Sequence, residues 1–200
     1  FSLALLGSAT VGIVREWGIV RALKYLALIA VIILLAALDS GGVIKATPGL
    51  VVEIESPYNY IQVIDDPSGW RLLTVNEGEA YQSAYHHERV LTNGVWDLFL
   101  LAPYFASSEP PRSALLIGLA AGTVARQYTL VYGAIPIDGV ELDPAIITVG
   151  QKYFAMTQPN LRAIADDGRN FAQTRAAQYD VIAIDAYRQP YIPFHLTTVE

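Results

Sequence analysis

The hydrophobic pattern changes period several times along the chain. Residues 1–14 carry no charge, and after Arg15, Glu16, Arg21 and Lys24 a second charge-free run covers residues 25–38. Such runs predict two helices joined by a short charged loop. Counted from Ala22, with Lys24 extending its ammonium to the interface, the second reaches the short end of the ~17–25 residues that span a bilayer. Membrane helices are therefore expected over residues 1–40. A signal peptide fits less well, because it has no apolar run upstream of its basic segment, and a buried core helix is the remaining reading. Asp39-Ser40-Gly41-Gly42 ends the pattern.

From Leu50 to Val75 the period shortens to that of strands. VVEIE, YIQVID and WRLLTV are separated by Ser56-Pro57 and Asp66-Pro67-Ser68-Gly69, which predicts a small antiparallel β unit. Residues 77–106 are less regular, with a helix expected near 96–101. This β-rich part covers 48–106, and Ser107-Ser108-Glu109-Pro110-Pro111 reads as a linker. Over 112–200, apolar strands (114–117, 135–142, 161–165, 181–185) alternate with helical patterns (122–131, 144–155, 169–177). Continuous Leu/Ile/Val strands separated by helices predict an α/β fold, a doubly wound Rossmann-like parallel sheet covered on both faces. A full sheet of this kind has more strands, and the chain opens on Phe1 with Met156 as its sole methionine. A fragment, truncated at the C-terminal end, is expected.

Composition refines this picture. Hydrophobic residues make up 53% of the chain and mean hydropathy is +0.35, with the apolar excess concentrated in the first forty positions. A net charge of −6 without clusters of Lys or Arg argues against a nucleic-acid surface. The absence of cysteine removes disulfides, thiolate metal sites and a cysteine nucleophile.

The candidate chemistry lies at the carboxyl ends of the predicted parallel strands, where open α/β sheets bind ligands. Gly118 follows the first strand and Gly122 opens the next helix, a turn that lets backbone approach a ligand and offers N–H groups at a helix start. A turn of small residues for packing is the bland alternative. Glu141 ends the second strand in VELDP, where a carboxylate can accept both hydroxyls of a ribose. Asp166-Asp167-Gly168 follows the third strand, and an acid there can accept from an adenine amino group or cap a helix. Asp185 ends the fourth strand in YDVIAIDAY. Together these positions predict one crevice for an adenosine-bearing cofactor. His86 and His87 are adjacent, so their side chains are expected to point apart, and no metal site is expected.

ESPYNYIQV at 55–63, the glycine turn at 117–123, VELDP at 140–144, ADDGRNF at 165–171 and YDVIAIDAY at 179–187 resemble the spermidine synthase (polyamine aminopropyltransferase) family. The apolar helices and the DAYRQPYIPFHLTT ending are similar to its membrane-fused bacterial branch. The resemblance covers residues 48–200. It implies decarboxylated S-adenosylmethionine as co-substrate, with Glu141 on the ribose, Asp167 and Gly168 at the adenine, and Asn59 near the nucleoside. It further implies Asp185 as the first acid of the catalytic loop, with Tyr187 a second catalytic candidate beside it, because the attacking amine must lose a proton to a carboxylate.

Three departures stand out: Ala121 replaces the acid that usually binds the aminopropyl ammonium, Arg188 replaces the second catalytic-loop acid, and the acidic pair that helps hold the polyamine is absent. They keep two alternatives open, an S-adenosylmethionine-dependent methyltransferase and a non-catalytic nucleoside-sensing domain. Tyr187, Tyr191 and His195 are candidates for lining the acceptor pocket or for ordinary loop packing. The expected partners are a small-molecule amine and the membrane, with a homodimer admissible and no nucleic acid. The expected location is the cell inner membrane, with the soluble domain on the cytoplasmic side.

Overall fold

The computed structural model describes residues 2–39, 44–76, 80–175, 177–186 and 193–198. It divides into two units, 1–45 and 46–200. The first holds α1 (Ser2–Trp17) and α2 (Ile19–Asp39), which touch each other and break only at Gly18. The charged loop expected between two spans is thus absent. Arg, Leu, Lys and Ala are strong helix formers, so the chain stays helical through Arg21 and Lys24 and the charges fall inside α2. Among the described residues no helix is long and apolar enough to cross a membrane. This overturns the inner-membrane location and the transmembrane reading of residues 1–40. The uninterrupted apolar stretch of α2 runs only over 25–38, short of the ~17–25 residues a span requires. The membrane-fused branch loses its footing with it.

The second unit begins with an antiparallel meander, β1 (Leu50–Glu55), β2 (Tyr60–Asp65), β3 (Arg71–Val75) and β4 (Tyr81–Tyr85), in that order across the sheet. The fourth strand falls where the sequence pattern was irregular. A short helix α3 (Trp96–Phe99) and a 3-10 turn (Ala102–Phe105) lead to the parallel sheet. Its strands are β5 (Ala114–Ile117), β6 (Ile137–Glu141), β7 (Leu161–Ala165) and β8 (Val181–Ile184), connected by α4 (Thr123–Tyr132), α5 (Pro144–Tyr153) and α6 (Gly168–Thr174). The spatial order is β7-β6-β5-β8. The sheet therefore winds outward from β5 in one direction through β6 and β7, then returns to the other side at β8. This is the doubly wound order, with its reversal at β5/β8.

Every residue of β5 is buried, as a central parallel strand covered on both faces requires. On one face Leu116 and Ala114 pack with Ala125 and Tyr128 of α4, and on the other Leu115 and Ile117 pack with Phe171 of α6. The meander packs against the turn after β5 and against α5. Ile61, Val63 and Leu73 pack against Ala121, Ile146, Val149 and Phe154. Each fully buried aliphatic or aromatic side chain is worth ~1.5–3 kcal/mol, so the meander is held to the turn after β5 and to α5 by its apolar face. Three hydrogen bonds reinforce that contact: Thr123 Oγ1 accepts from the amide of Ala84 and donates to its carbonyl, and Ser83 Oγ accepts from the amide of Ala121.

Candidate active site

The carboxyl ends of the four parallel strands carry Asp185, Gly118, Glu141 and Asp166-Asp167, in that spatial sequence. With strands ~4.8 Å apart, the row is about 14 Å long. It lies at the reversal point of the strand order, where open α/β sheets place their ligand crevice.

The turn after β5 is built for close approach. Gly118 has φ +86, and a Cβ there would stand 2.5 Å from the carbonyl oxygen of Asp185, so only glycine fits. Its amide and that of Leu119 donate to Val140 O, at 2.9 and 3.0 Å. Ala120 donates to Glu141 Oε2 (2.9 Å), Ala121 to Ser83 Oγ (2.9 Å) and Gly122 to Leu119 O (3.0 Å). Every N–H from Gly118 to Gly122 is engaged inside the fold, in contrast to the open amides expected from sequence. A pyrophosphate cradle needs such groups free, so this turn suits a ligand without phosphates. Ser83, 1% exposed on β4, gives no sign of this role in the sequence, because a small polar residue in an irregular stretch carries no signal.

Glu141 is half-buried and held by backbone. Oε2 takes the amide of Ala120 and Oε1 that of Asp143, at 3.1 Å. Burial pushes its carboxyl above the usual range, against the lowering by these amides. Each oxygen keeps a lone pair for a hydroxyl donor. Taken as a whole residue Asp185 is exposed, and it helps line a small pocket with Phe99, Leu116, Leu119, Val124 and Ala183. Desolvation there raises its proton affinity, and a hydrogen bond with the side chain of Trp96 partly offsets this. Trp96 was read only as part of a helix.

Asp167 caps α6, its Oδ1 accepting from the amides of Arg169 and Asn170 at 2.9 and 3.1 Å. Gly168 lies directly on β5: a Cβ would meet Ile117 Cγ2 at 2.4 Å. The side chain of Asn59 is engaged within the fold, its partner Asp143 lying two residues beyond Glu141 in the chain. Its Nδ2 donates to Asp143 Oδ2 (3.0 Å) and its Oδ1 accepts from Asn76 (3.1 Å). Asp143 is fully buried, caps α5 through Ala145 N (2.9 Å), and also accepts from Ser56 Oγ (2.5 Å). The Ser-Pro-Tyr-Asn motif thus ties the meander to the helix after Glu141. Tyr187, Arg188 and Tyr191 lie outside the described residues. His195 stands beside Asp167, Nε2 to Oδ2 3.6 Å.

The histidine pair corrects another expectation. His86 and His87 stack with ring centroids 4.9 Å apart instead of pointing apart, because they occupy a turn rather than a strand or helix. Nδ1 of His86 accepts from the amides of Glu88 and Arg89, a structural use.

No family model matches the chain. A probable polyamine aminopropyl transferase of Bifidobacterium longum (strain NCC 2705) is 36% identical over 152 residues, which are 76% of this chain and 33% of the relative. A polyamine aminopropyltransferase of Thermoplasma volcanium is 28% identical over 145 residues, 68% of this chain and 49% of that protein. The crystal structure of a probable spermidine synthase from Corynebacterium glutamicum ATCC 13032 matches with a TM-score of 0.62 at 20% identity, covering 78% of this chain and 57% of that one. The chain therefore spans between a third and somewhat over half the length of these proteins. In sequence the chain is thus a relative of the polyamine aminopropyltransferases, and its fold is that of the spermidine synthases.

Proposed function

We propose that the crevice binds decarboxylated S-adenosylmethionine and that its aminopropyl group is transferred to an amine. One observation carries this reading: the strand ends present carboxylates at Asp185, Glu141 and Asp167, while the amides of the intervening turn are consumed internally. Such a surface repels phosphate and attracts a sulfonium and an amine. The order across the sheet also fits the parts of the molecule, with the base at Asp167 and Gly168, the ribose at Glu141, and the reacting carbon toward Asp185.

In the transfer, the lone pair of a neutral amine attacks the aminopropyl carbon beside the sulfonium. The N–C bond forms as the C–S bond breaks, and methylthioadenosine leaves as a neutral thioether. The proton shed by the nitrogen passes to the Asp185 carboxylate, whose desolvated setting raises its proton affinity.

A second reading is favoured by Ala121. It is 3% exposed, packed against Ile146 and Val149, and its amide is held by Ser83, so that position offers nothing to an aminopropyl ammonium. In methyl transfer from S-adenosylmethionine the ammonium is not carried by the group transferred, so its positioning bears less on the reaction. Titration with each cofactor, followed by product analysis with a panel of amines, separates the two. Preference for the decarboxylated form with an aminopropylated product supports the first reading, and preference for S-adenosylmethionine with a methylated product replaces it.

A further inference from the structure

The ring of His195 and the carboxylate of Asp167 stand side by side, yet they do not complete a hydrogen bond. Nε2 and Oδ2 are 3.6 Å apart, beyond the range in which an N–H donates to oxygen. The side chains are 39% and 42% exposed, so the pair is open to a ligand and, as a surface ion pair, contributes little to stability. The rest of each residue is fixed. Oδ1 of Asp167 is taken up by the amides of Arg169 and Asn170. The carbonyl of His195 accepts from Arg169 Nη1 at 2.6 Å, and Arg169 also donates to Thr198 Oγ1. Leu196 packs into the cluster of Leu115, Ile117, Val140 and Phe171. An acceptor and a donor, anchored through their neighbouring atoms and unspent on each other, thus stand exposed just beyond the end of β7.

We propose that His195 is a specificity-determining residue that, with Asp167, reads one edge of an adenine: Oδ2 accepts from the 6-amino group while Nε2–H donates to N7. The two groups together present what one carboxamide presents when it reads that edge bidentately. This rests on the nucleoside reading of the crevice and adds to it a residue that lies 28 positions further along the chain than Asp167. A purine without N7 leaves the imidazole donor idle, and a 6-oxo purine sets an oxygen against the carboxylate.

Calorimetric titration of the whole chain with methylthioadenosine and its 7-deaza analogue tests the assignment. His195→Ala should weaken methylthioadenosine about tenfold, the value of one hydrogen bond, and leave the 7-deaza analogue unchanged. His195→Gln, which keeps a donor, should retain most of the preference for N7. Equal loss for both ligands, or none for either, overturns the role of His195 while the nucleoside site stands. If the unmodified protein binds neither ligand, the nucleoside reading itself is wrong and this assignment falls with it.

Discussion

Oε2 of Glu141 accepts the backbone N–H of Ala120 at 2.9 Å, and Ala120 sits at φ +48, a left-handed conformation that a residue with a Cβ adopts at some cost. The carboxylate proposed to accept the ribose is therefore also the strut of this turn. Glu141→Ala removes charge-assisted bonds worth ~1.5–3 kcal/mol each and frees the turn. Methylthioadenosine affinity should fall by about a hundredfold or more, as measured by calorimetry. Unchanged affinity would place the nucleoside elsewhere.

Asp143 is the buried joint between meander and crevice. Asp143→Ala removes the cap of α5 and strands Ser56 Oγ and Asn59 Nδ2, both of which donate to it. Loss of a cap (~0.5–2 kcal/mol) plus unsatisfied donors should destabilise the protein by about 2–4 kcal/mol in denaturant unfolding. Asn59→Ala, which leaves the cap in place, should cost less. If Asn59→Ala instead spares stability and abolishes nucleoside binding, the residue acts in the site rather than at the joint.

How much of this was legible follows from particular residues. All four parallel strands could be read because β5 to β8 are short apolar runs between helical patterns, and Asp143-Pro144 announces a cap and first turn in plain sequence. β4 was hidden, since YQSAY buries a serine and an alanine and shows no hydrophobic alternation. The crevice acids were found one strand end at a time, but the partners that hold them were not. Ser83 with Ala121, Trp96 with Asp185 and His195 with Asp167 each join distant parts of the chain, and pairing at long range leaves no local pattern. The apolar N-terminal runs were misread for the opposite reason: hydropathy alone signalled spans, whereas helix propensity carried α2 through its charges.

The pH dependence of stability has a definite sign. Glu141 and Asp185 both hold their protons more tightly in the folded chain, chiefly through burial. Between the unfolded values of ~4 and the raised folded ones, the native state binds more protons than the unfolded state, so their contribution falls as pH rises through that window. Asp65, Asp97 and Asp138 have lowered values and act oppositely, their stabilisation being lost as pH drops through their folded values. Subtracting the Tm series of Asp185→Asn from that of the parent isolates one group. The variant should gain stability relative to the parent as pH rises from about 4 to about 7. A flat difference would mean that the carboxyl is as well solvated as in the unfolded chain.

Asp185 is also the acid on which turnover should most depend. Its backbone amide is fixed to Ile117 O at 2.8 Å, its carbonyl abuts Gly118, and the residue lines a small pocket with Phe99 and Val124. Three residues on, Arg188 occupies the place of a second acid, so fewer carboxylates share the proton released by the attacking amine. Asparagine keeps the size and an acceptor oxygen for Trp96 but cannot take up a proton. Asp185→Asn should therefore lower kcat by the ~10²–10⁴ typical of general acid–base groups, with little change in nucleoside affinity because Glu141 and Asp167 are untouched. The two measurements belong together. Loss of both rate and affinity would mark Asp185 as a binding group, and an unchanged rate with an accepted amine would mean that the proton leaves by another route and that the transfer mechanism proposed for this crevice is wrong.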